Sequence, residues 1–176
     1  FGINGPLSNP PGNFIWVRSA TLDFYKTNQI GSTQFVATEI VKVDPANPDK
    51  QTMILAAQAI MRGGVIAFPT DTIYGLGCSL FDTGAVELVS QLKRRAPHHA
   101  FISLIPDASQ ADGLALSVNP VARKLIKHCW PGPLSLIFVA AEIVPVSVRG
   151  EGGTIALRCP IDPLSNAPAI FVAYGP

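Results

Sequence analysis

Residues 63–77 read GGVIAFPTDTIYGLG, and this stretch decides how the rest of the chain is interpreted. Residues 65–68 are an unbroken apolar run between glycine and proline, which is typical of a short buried strand in the centre of a sheet. Directly after it, Thr70, Asp71 and Thr72 bring hydroxyl and carboxylate groups together. Because ligands often bind at such strand ends in open α/β sheets, the loop is a candidate binding site. The alternative is an ordinary strand-to-helix turn whose side chains bond local backbone groups.

From residue 51 onward, apolar spacing predicts helices alternating with strands, which indicates an α/β fold. Helices are predicted at residues 51–62, 83–92 and 121–129, with Leu92 and Leu125 facing inward. Strands are predicted at residues 101–105, 134–140, 145–148 and 154–158. Before this region, the sequence predicts a turn-like segment at residues 1–12 and two further strands at residues 14–17 and 35–37.

Composition narrows the class of protein. Charged residues make up 14% of the 176 residues and apolar residues 48%, which excludes disorder for most of the chain. A net charge of +1 is too small to bind nucleic acid through bulk electrostatics, so any contact with a polyanion needs a local cluster. The longest apolar run, residues 134–141, is far shorter than the ~18 residues of a membrane span, so we expect no membrane contact.

The chain has only three cysteines, which are far apart, so we expect neither a disulfide framework nor a zinc site. This pattern fits a reducing compartment, and we expect a cytoplasmic protein. Organellar targeting stays open because the chain begins at Phe1 rather than Met.

A basic cluster, Lys93, Arg94 and Arg95, follows the predicted helix at residues 83–92. Cations at this spacing can clamp a triphosphate. They also oppose the negative end of the helix dipole, which requires no ligand.

Two further motifs stand near the predicted strands. In Trp130-Pro131-Gly132-Pro133, the prolines fix the backbone and the glycine permits positive φ, so the motif is predicted to set the start of the next strand. On the strand at residues 154–158, Thr154 and Arg158 face the same side, about 13 Å apart at about 3.3 Å per residue. An arginine among apolar residues needs an anion, which is either a ligand or an internal carboxylate.

Taken in order, these four motifs resemble the YrdC-like family, the threonylcarbamoyl-AMP synthases. The resemblance covers residues 41–176 and leaves residues 1–40 as an N-terminal arm outside the match. It is carried by residues 63–77, Lys93-x-Arg95, Trp130-Pro131-Gly132-Pro133-Leu134 and residues 154–160.

The resemblance implies an open twisted mixed sheet with flanking helices around a positively lined cavity. It also implies a nucleotidyltransferase that uses ATP, with Mg²⁺ held mainly by the nucleotide and not by protein ligands, together with L-threonine and bicarbonate. The product, threonylcarbamoyl-AMP, would pass to a downstream threonylcarbamoyl transferase that modifies tRNA, and tRNA would be a further partner of the chain itself.

The resemblance assigns roles to individual residues. Lys93 and Arg95 match the family's catalytic pair that holds the phosphates of ATP, and Thr154 would sit beside the nucleotide. The threonine pocket would be lined by Thr70, Thr72 and Tyr74, and Arg158 would pair with the carboxylate of L-threonine.

The chain departs from the family pattern at three places. Arg94 stands where the family commonly has glycine. Where the family often has a polar side chain, this chain has Leu104 or, in a shifted register, Ser103. The chain also ends at Pro176, before the family's Ser-x-Asn motif, so the domain is expected to be incomplete at its C-terminal end, inactive as a synthase and less stable than a longer version.

Two other readings remain at this point. One is a catalytically silent module of the same fold that binds RNA or a nucleotide, for which salt-dependent RNA binding without an ATP-dependent product would be diagnostic. The other is a carbamoyl-transfer domain of a larger maturation enzyme, where a similar fold handles carbamoyl-adenylate.

Overall fold

The computed structural model describes residues 13–17, 38–42, 44, 49–69, 74–94, 101–161 and 171–173; for residues 13–17, 38, 39, 69, 74 and 171–173 it describes the backbone only. The strands are β1 (Asn13–Val17), β2 (Thr38–Lys42), β3 (Val65–Pro69), β4 (Tyr74–Gly77), β5 (Ile102–Leu104), β6 (Leu136–Val139), β7 (Thr154–Arg158) and β8 (Phe171–Ala173). The α-helices are α1 (Lys50–Met61), α2 (Thr83–Leu92), α3 (Ala111–Leu114) and α4 (Pro120–Cys129), with 3₁₀ turns at Ala108–Gln110, Val146–Val148 and Glu151–Gly153.

The first sheet is antiparallel, in the order β2-β1-β3-β4. The prediction of a buried inner strand at residues 65–68 is confirmed, because β3 lies between β1 and β4 and its residues Val65, Ile66 and Phe68 are buried. The alternative prediction of a strand-to-helix turn after β3 was wrong, because β4 pairs back with β3 as a hairpin. Glycines of β4 stand opposite Ile66 and Phe68, and this leaves room for the two large side chains.

Strand β1, which belongs to the predicted N-terminal arm, pairs directly with β3. Strand β2 spans residue 40, where the arm was expected to end. The segments at residues 1–12 and 35–37 lie outside the described residues, so their predicted structure stays a prediction.

The second sheet has the order β6-β7-β5-β8 and is mixed, because β5 and β7 are parallel while the other pairs are antiparallel. The mixed α/β class with flanking helices is therefore confirmed. The strands divide into two small sheets, and β4 of the first sheet lies beside β8 of the second. The sequence pattern did not predict β8, whose three residues lie in a proline-rich segment.

The predicted helices are confirmed, and their ends follow local signals. Asp49 begins α1 by accepting hydrogen bonds from the side chain and backbone of Thr52 and the backbone of Gln51, and these bonds lower the pKa of Asp49. The carboxylate of Asp82 caps α2, and Asn119 caps α4 with its side chain accepting from Ala122 at 2.8 Å.

Two residues expected to face inward do not, and one predicted strand is absent. Leu92 is 50% exposed because it is the last residue of α2, a turn beyond the buried Val89. Leu125 is 41% exposed because it lies beside the narrow inward stripe of α4. The strand predicted at residues 145–148 was wrong, because Val146–Val148 form a 3₁₀ turn, closed by the bond from Val148 N to Pro145 O.

Two clusters of buried side chains hold these elements together. The larger cluster packs α2, α3 and α4 against one face of the second sheet. The smaller one joins α1, β3 and β5 through Ala56, Ile60, Ile66, Phe68 and Leu104. Within the described part of the chain, no helix is both long and apolar enough to span a bilayer.

Candidate functional site

Strand β7 carries the two polar residues singled out on it by the sequence. Thr154 begins the strand and Arg158 ends it, and both are half-buried, whereas the three residues between them are buried. Because side chains alternate along a strand, Thr154, Ala156 and Arg158 face the same side of the sheet. The structure therefore brings Thr154 and Arg158 to one surface, as predicted.

This surface has one covered side and one open side. Pairing places Ile102 and Leu104 of β5 on the same face as Arg158, and both pack in the smaller cluster against β3 and α1. On the other flank, Ile137 and Val139 of β6 share the face and are 71% and 54% exposed. The polar residues of β7 thus lie along the border between packed protein and solvent, where a ligand has access.

Arg158 is held by the Trp130-Pro131-Gly132-Pro133 loop. Its Nε donates to Gly132 O at 3.2 Å, and Gly132 N donates to Cys159 O at 2.7 Å. A Cβ at Gly132 would lie 2.2 Å from Cys129 O, so only glycine fits there. The loop was interpreted from the sequence as fixing the start of the next strand; the structure adds that its Gly132 carbonyl orients Arg158.

The sequence did not predict that Gly132 orients Arg158. The acceptor is a backbone carbonyl, and no residue type signals it. The indole of Trp130 stiffens the same loop by donating from Nε1 to Leu134 O at 2.7 Å.

Cys159, the residue after Arg158, does not form an ion pair with the guanidinium. Burial, with a smaller contribution from Asp107, raises the pKa of the Cys159 thiol. Hydrogen bonds from Ser109 lower the pKa of Asp107, which therefore stays a carboxylate at neutral pH. Cys159 consequently stays protonated and places no thiolate beside the guanidinium.

The Thr154 end is organised by a glycine-rich turn. Gly150 N donates to Thr154 O at 2.9 Å, and the Thr154 hydroxyl donates to Glu151 O at 3.0 Å. Gly152 and Gly153 both have φ near +70°, and a Cβ on either would meet no described atom within 4 Å. The backbone beside Thr154 is thus open to close approach by a ligand.

The sequence left open whether Leu104 or Ser103 of β5 faces the site surface, and the pairing register of β5 answers this. Leu104 stands opposite Arg158 and faces the site surface, where it packs in the smaller cluster. Ser103 points to the opposite side and is fully buried, and its hydroxyl has no hydrogen-bond partner among the described residues. The shifted register was therefore wrong, and an apolar side chain occupies this place on the surface.

The basic cluster is described in part. Lys93 is half-buried at the C-terminal cap of α2. Arg94 has φ +51° and is exposed, with its N–H bonded to Gln91 O at 3.0 Å. This is the left-handed position where helices favour glycine. Arg95 lies outside the described residues.

The hairpin between β3 and β4 carries the other predicted threonine-binding residues. Tyr74 begins β4 opposite Pro69, and only its backbone is described. Thr70 and Thr72 lie in the connection outside the described residues, so their role stays a prediction. Among the described residues, no group of three acidic, histidine or cysteine side chains is placed to bind a metal.

Comparison with known families gives a match over most of this region. The model of the family Sua5/YciO/YrdC, described as telomere recombination, matches residues 58–168, well over half of the chain. The chain is 34% identical over 111 residues to threonylcarbamoyl-AMP synthase of Coxiella burnetii, covering 63% of this chain and 60% of that protein. It is 38% identical over 106 residues to the enzyme of that name from Pyrococcus abyssi, covering 60% of this chain and 31% of that one.

A solved structure agrees with the sequence comparison. The crystal structure of P. abyssi Sua5 complexed with L-threonine superposes with a TM-score of 0.70 and 30% identity, over 73% of this chain and 39% of that one. The chain thus spans less than two thirds of these relatives. The resemblance drawn from the four motifs is confirmed, and this chain belongs to the Sua5/YciO/YrdC family.

Proposed function

We propose that this chain binds ATP and L-threonine for the synthesis of threonylcarbamoyl-AMP. The observation that carries the proposal is Arg158, held half-buried at the border of an open surface by the Gly132 carbonyl. A guanidinium with its direction fixed is suited to a carboxylate, and L-threonine has one. The names of the relatives and the threonine complex of P. abyssi Sua5 support the same substrate.

The proposed reaction has two steps. The amine of L-threonine forms a C–N bond with bicarbonate, and water leaves. An oxygen of the resulting carbamate then attacks the α-phosphorus of ATP, breaks its bond to the bridging oxygen and releases pyrophosphate. MgATP enters as a substrate, and its Mg²⁺ offsets phosphate charge. The protein contributes positioning and electrostatic stabilisation, and no covalent intermediate with the chain is needed.

Each residue has a separate task in this proposal. Arg158 pairs with the threonine carboxylate, and Thr70, Thr72 and Tyr74 complete its pocket from the β3–β4 hairpin. At the other end of β7, Thr154 contacts the nucleotide.

Lys93 and Arg95 are proposed to hold the phosphates and neutralise charge that develops as pyrophosphate leaves. The product is a mixed anhydride, which is reactive, so a transferase must consume it. We propose that this transferase delivers the threonylcarbamoyl group to adenosine in tRNA, and that the synthase works in the cytoplasm.

Calorimetric titration of L-threonine tests the proposal most simply. Arg158→Ala should weaken threonine binding about tenfold to a hundredfold, the effect of losing a hydrogen bond between charged groups. The matched control is Arg123→Ala, which removes a guanidinium from an exposed 2.8 Å ion pair with Asp112 and should leave threonine binding unchanged. Equal threonine affinity in all three proteins would refute the proposed site.

Pyrophosphate release separates the synthase from a silent binding module. In a longer version of the domain that includes the Ser-x-Asn motif, release from ATP should require both L-threonine and bicarbonate. Release that continues at the same rate without threonine would contradict the proposal. Steeply salt-dependent RNA binding, without threonine binding or pyrophosphate release, would favour the silent module.

A further inference from the structure

Arg149 makes an unusual set of contacts near the start of β7. Its Nε donates to Val144 O at 2.9 Å, and its Nη2 donates to Ala141 O at 3.2 Å and to Glu142 O at 3.1 Å. All three acceptors belong to the bend that follows β6. The planar guanidinium therefore ties this bend to the segment just before the glycine-rich turn.

The residue next to Arg149 connects it to the site. Gly150 forms an antiparallel bridge with Thr154, and its N–H donates to Thr154 O at 2.9 Å. On the β6 side, Ala140 N donates to Gly153 O at 2.9 Å. Arg149 and Thr154 thus flank one turn, which is fixed at both ends by hydrogen bonds.

Apart from hydrogen bonds, the turn has little support. Gly152 and Gly153 have no side chains, and Glu151 is exposed, so no side chain of the turn is packed in the core. By contrast, Val144 in the bend and Val148 in the 3₁₀ turn are buried. The hydrogen bonds of Arg149 attach the turn to these buried residues. Without them, the two glycines would leave the turn flexible.

We propose that Arg149 is a positioning residue for the nucleotide, and that it acts through the turn on the Thr154 hydroxyl. This inference rests on the proposed function, because it assumes that ATP binds beside Thr154. Arg149 itself is engaged with protein carbonyls and need not touch the nucleotide. Lysine cannot replace it, since one ammonium group lacks the planar fork that reaches three carbonyls in two directions.

The inference predicts a selective effect. Arg149→Ala should weaken ATP binding about fivefold or more, while L-threonine binding stays within about twofold, because Arg158 is held separately by Gly132. Arg149→Lys should weaken ATP binding nearly as much as Arg149→Ala. The preserved threonine affinity also shows that the variants are folded.

A double-mutant cycle with Thr154→Val, read by calorimetric titration of MgATP and of L-threonine, tests whether Arg149 acts through Thr154. In the Thr154→Val background, Arg149→Ala should add less than about a twofold loss of ATP affinity, because the hydroxyl to be positioned is gone. Arg123→Ala is the control for loss of an arginine elsewhere and should change neither affinity.

The outcomes are distinguishable. If the unaltered chain binds no MgATP, the proposed function fails and the inference fails with it. If it binds MgATP and Arg149→Ala binds equally well, only the inference is overturned. It is also overturned if Arg149→Ala weakens both ligands equally, if Arg149→Lys restores full affinity, or if the two substitutions are additive.

Discussion

The two ends of β7 carry polar residues on the same surface, yet they are supported in different ways. At the Arg158 end, the Gly132 loop is packed so tightly that a Cβ would lie 2.2 Å from a carbonyl oxygen. At the Thr154 end, Gly152 lies in open space, and the turn is shaped by hydrogen bonds and by positive φ. Packing thus fixes one end and backbone conformation the other, so the same kind of substitution should have different costs at the two ends.

Gly132→Ala should produce the largest effect. The added methyl group cannot fit without moving the backbone, so we expect a loss of about 3 kcal/mol of stability, as for severe overpacking. Displacing Gly132 also moves the acceptor of Arg158, and L-threonine affinity should fall with it. Urea unfolding and calorimetry measure the two effects.

The matched control for this variant is Gly113→Ala in α3. A Cβ there meets nothing within 4 Å, and alanine favours helix, so stability should be unchanged or slightly higher. If Gly132→Ala is as stable as Gly113→Ala, the tight packing of the Arg158 end is refuted.

Gly152→Ala should have an intermediate effect at the other end. Space is available, but φ +69° is unfavourable for a residue with a Cβ and should cost about 1–2 kcal/mol. Gly152→Asn should cost less, because asparagine tolerates the left-handed region. ATP affinity should fall while L-threonine affinity is kept. Equal losses for Ala and Asn would show that conformation is not what limits this end.

Arg94→Gly should give the smallest change, and in the opposite direction. Arg94 has the same left-handed conformation as Gly152, but here the strain is already present in the chain. Glycine should relieve it and raise stability by about 0.5–1 kcal/mol, less than the full strain because glycine is also freer when unfolded. Arg94→Ala keeps the Cβ and removes the charge, so its thermal midpoint should not rise; a rise equal to that of Arg94→Gly would assign the gain to charge.

The sequence predicted the features that depend on neighbouring residues. Asp82 and Asn119 lie directly before the predicted helices and cap α2 and α4, as these residue types do at helix starts. The spacing of Thr154 and Arg158 on a five-residue strand was enough to place them on one face. These predictions succeed because helix capping and strand alternation are local properties of the chain.

Features that depend on pairing between residues far apart in the chain could not be predicted from local sequence. The division into two sheets and strand β8 both require partners far along the chain. The side that Ser103 faces follows from its pairing with Leu157, more than fifty residues later. The contacts of Gly132 and Arg149 involve backbone carbonyls, which every residue has, so no side chain announces them.

Amide hydrogen exchange with each ligand in turn tests most directly the claim that the two ends of β7 serve different ligands. Added L-threonine should slow exchange at residues 158–159 and in the Gly132 loop, and should leave residues 150–154 unchanged. Added MgATP should slow exchange at residues 150–154. If neither ligand protects β7, or if L-threonine protects the Thr154 end instead of the Arg158 end, the account is contradicted.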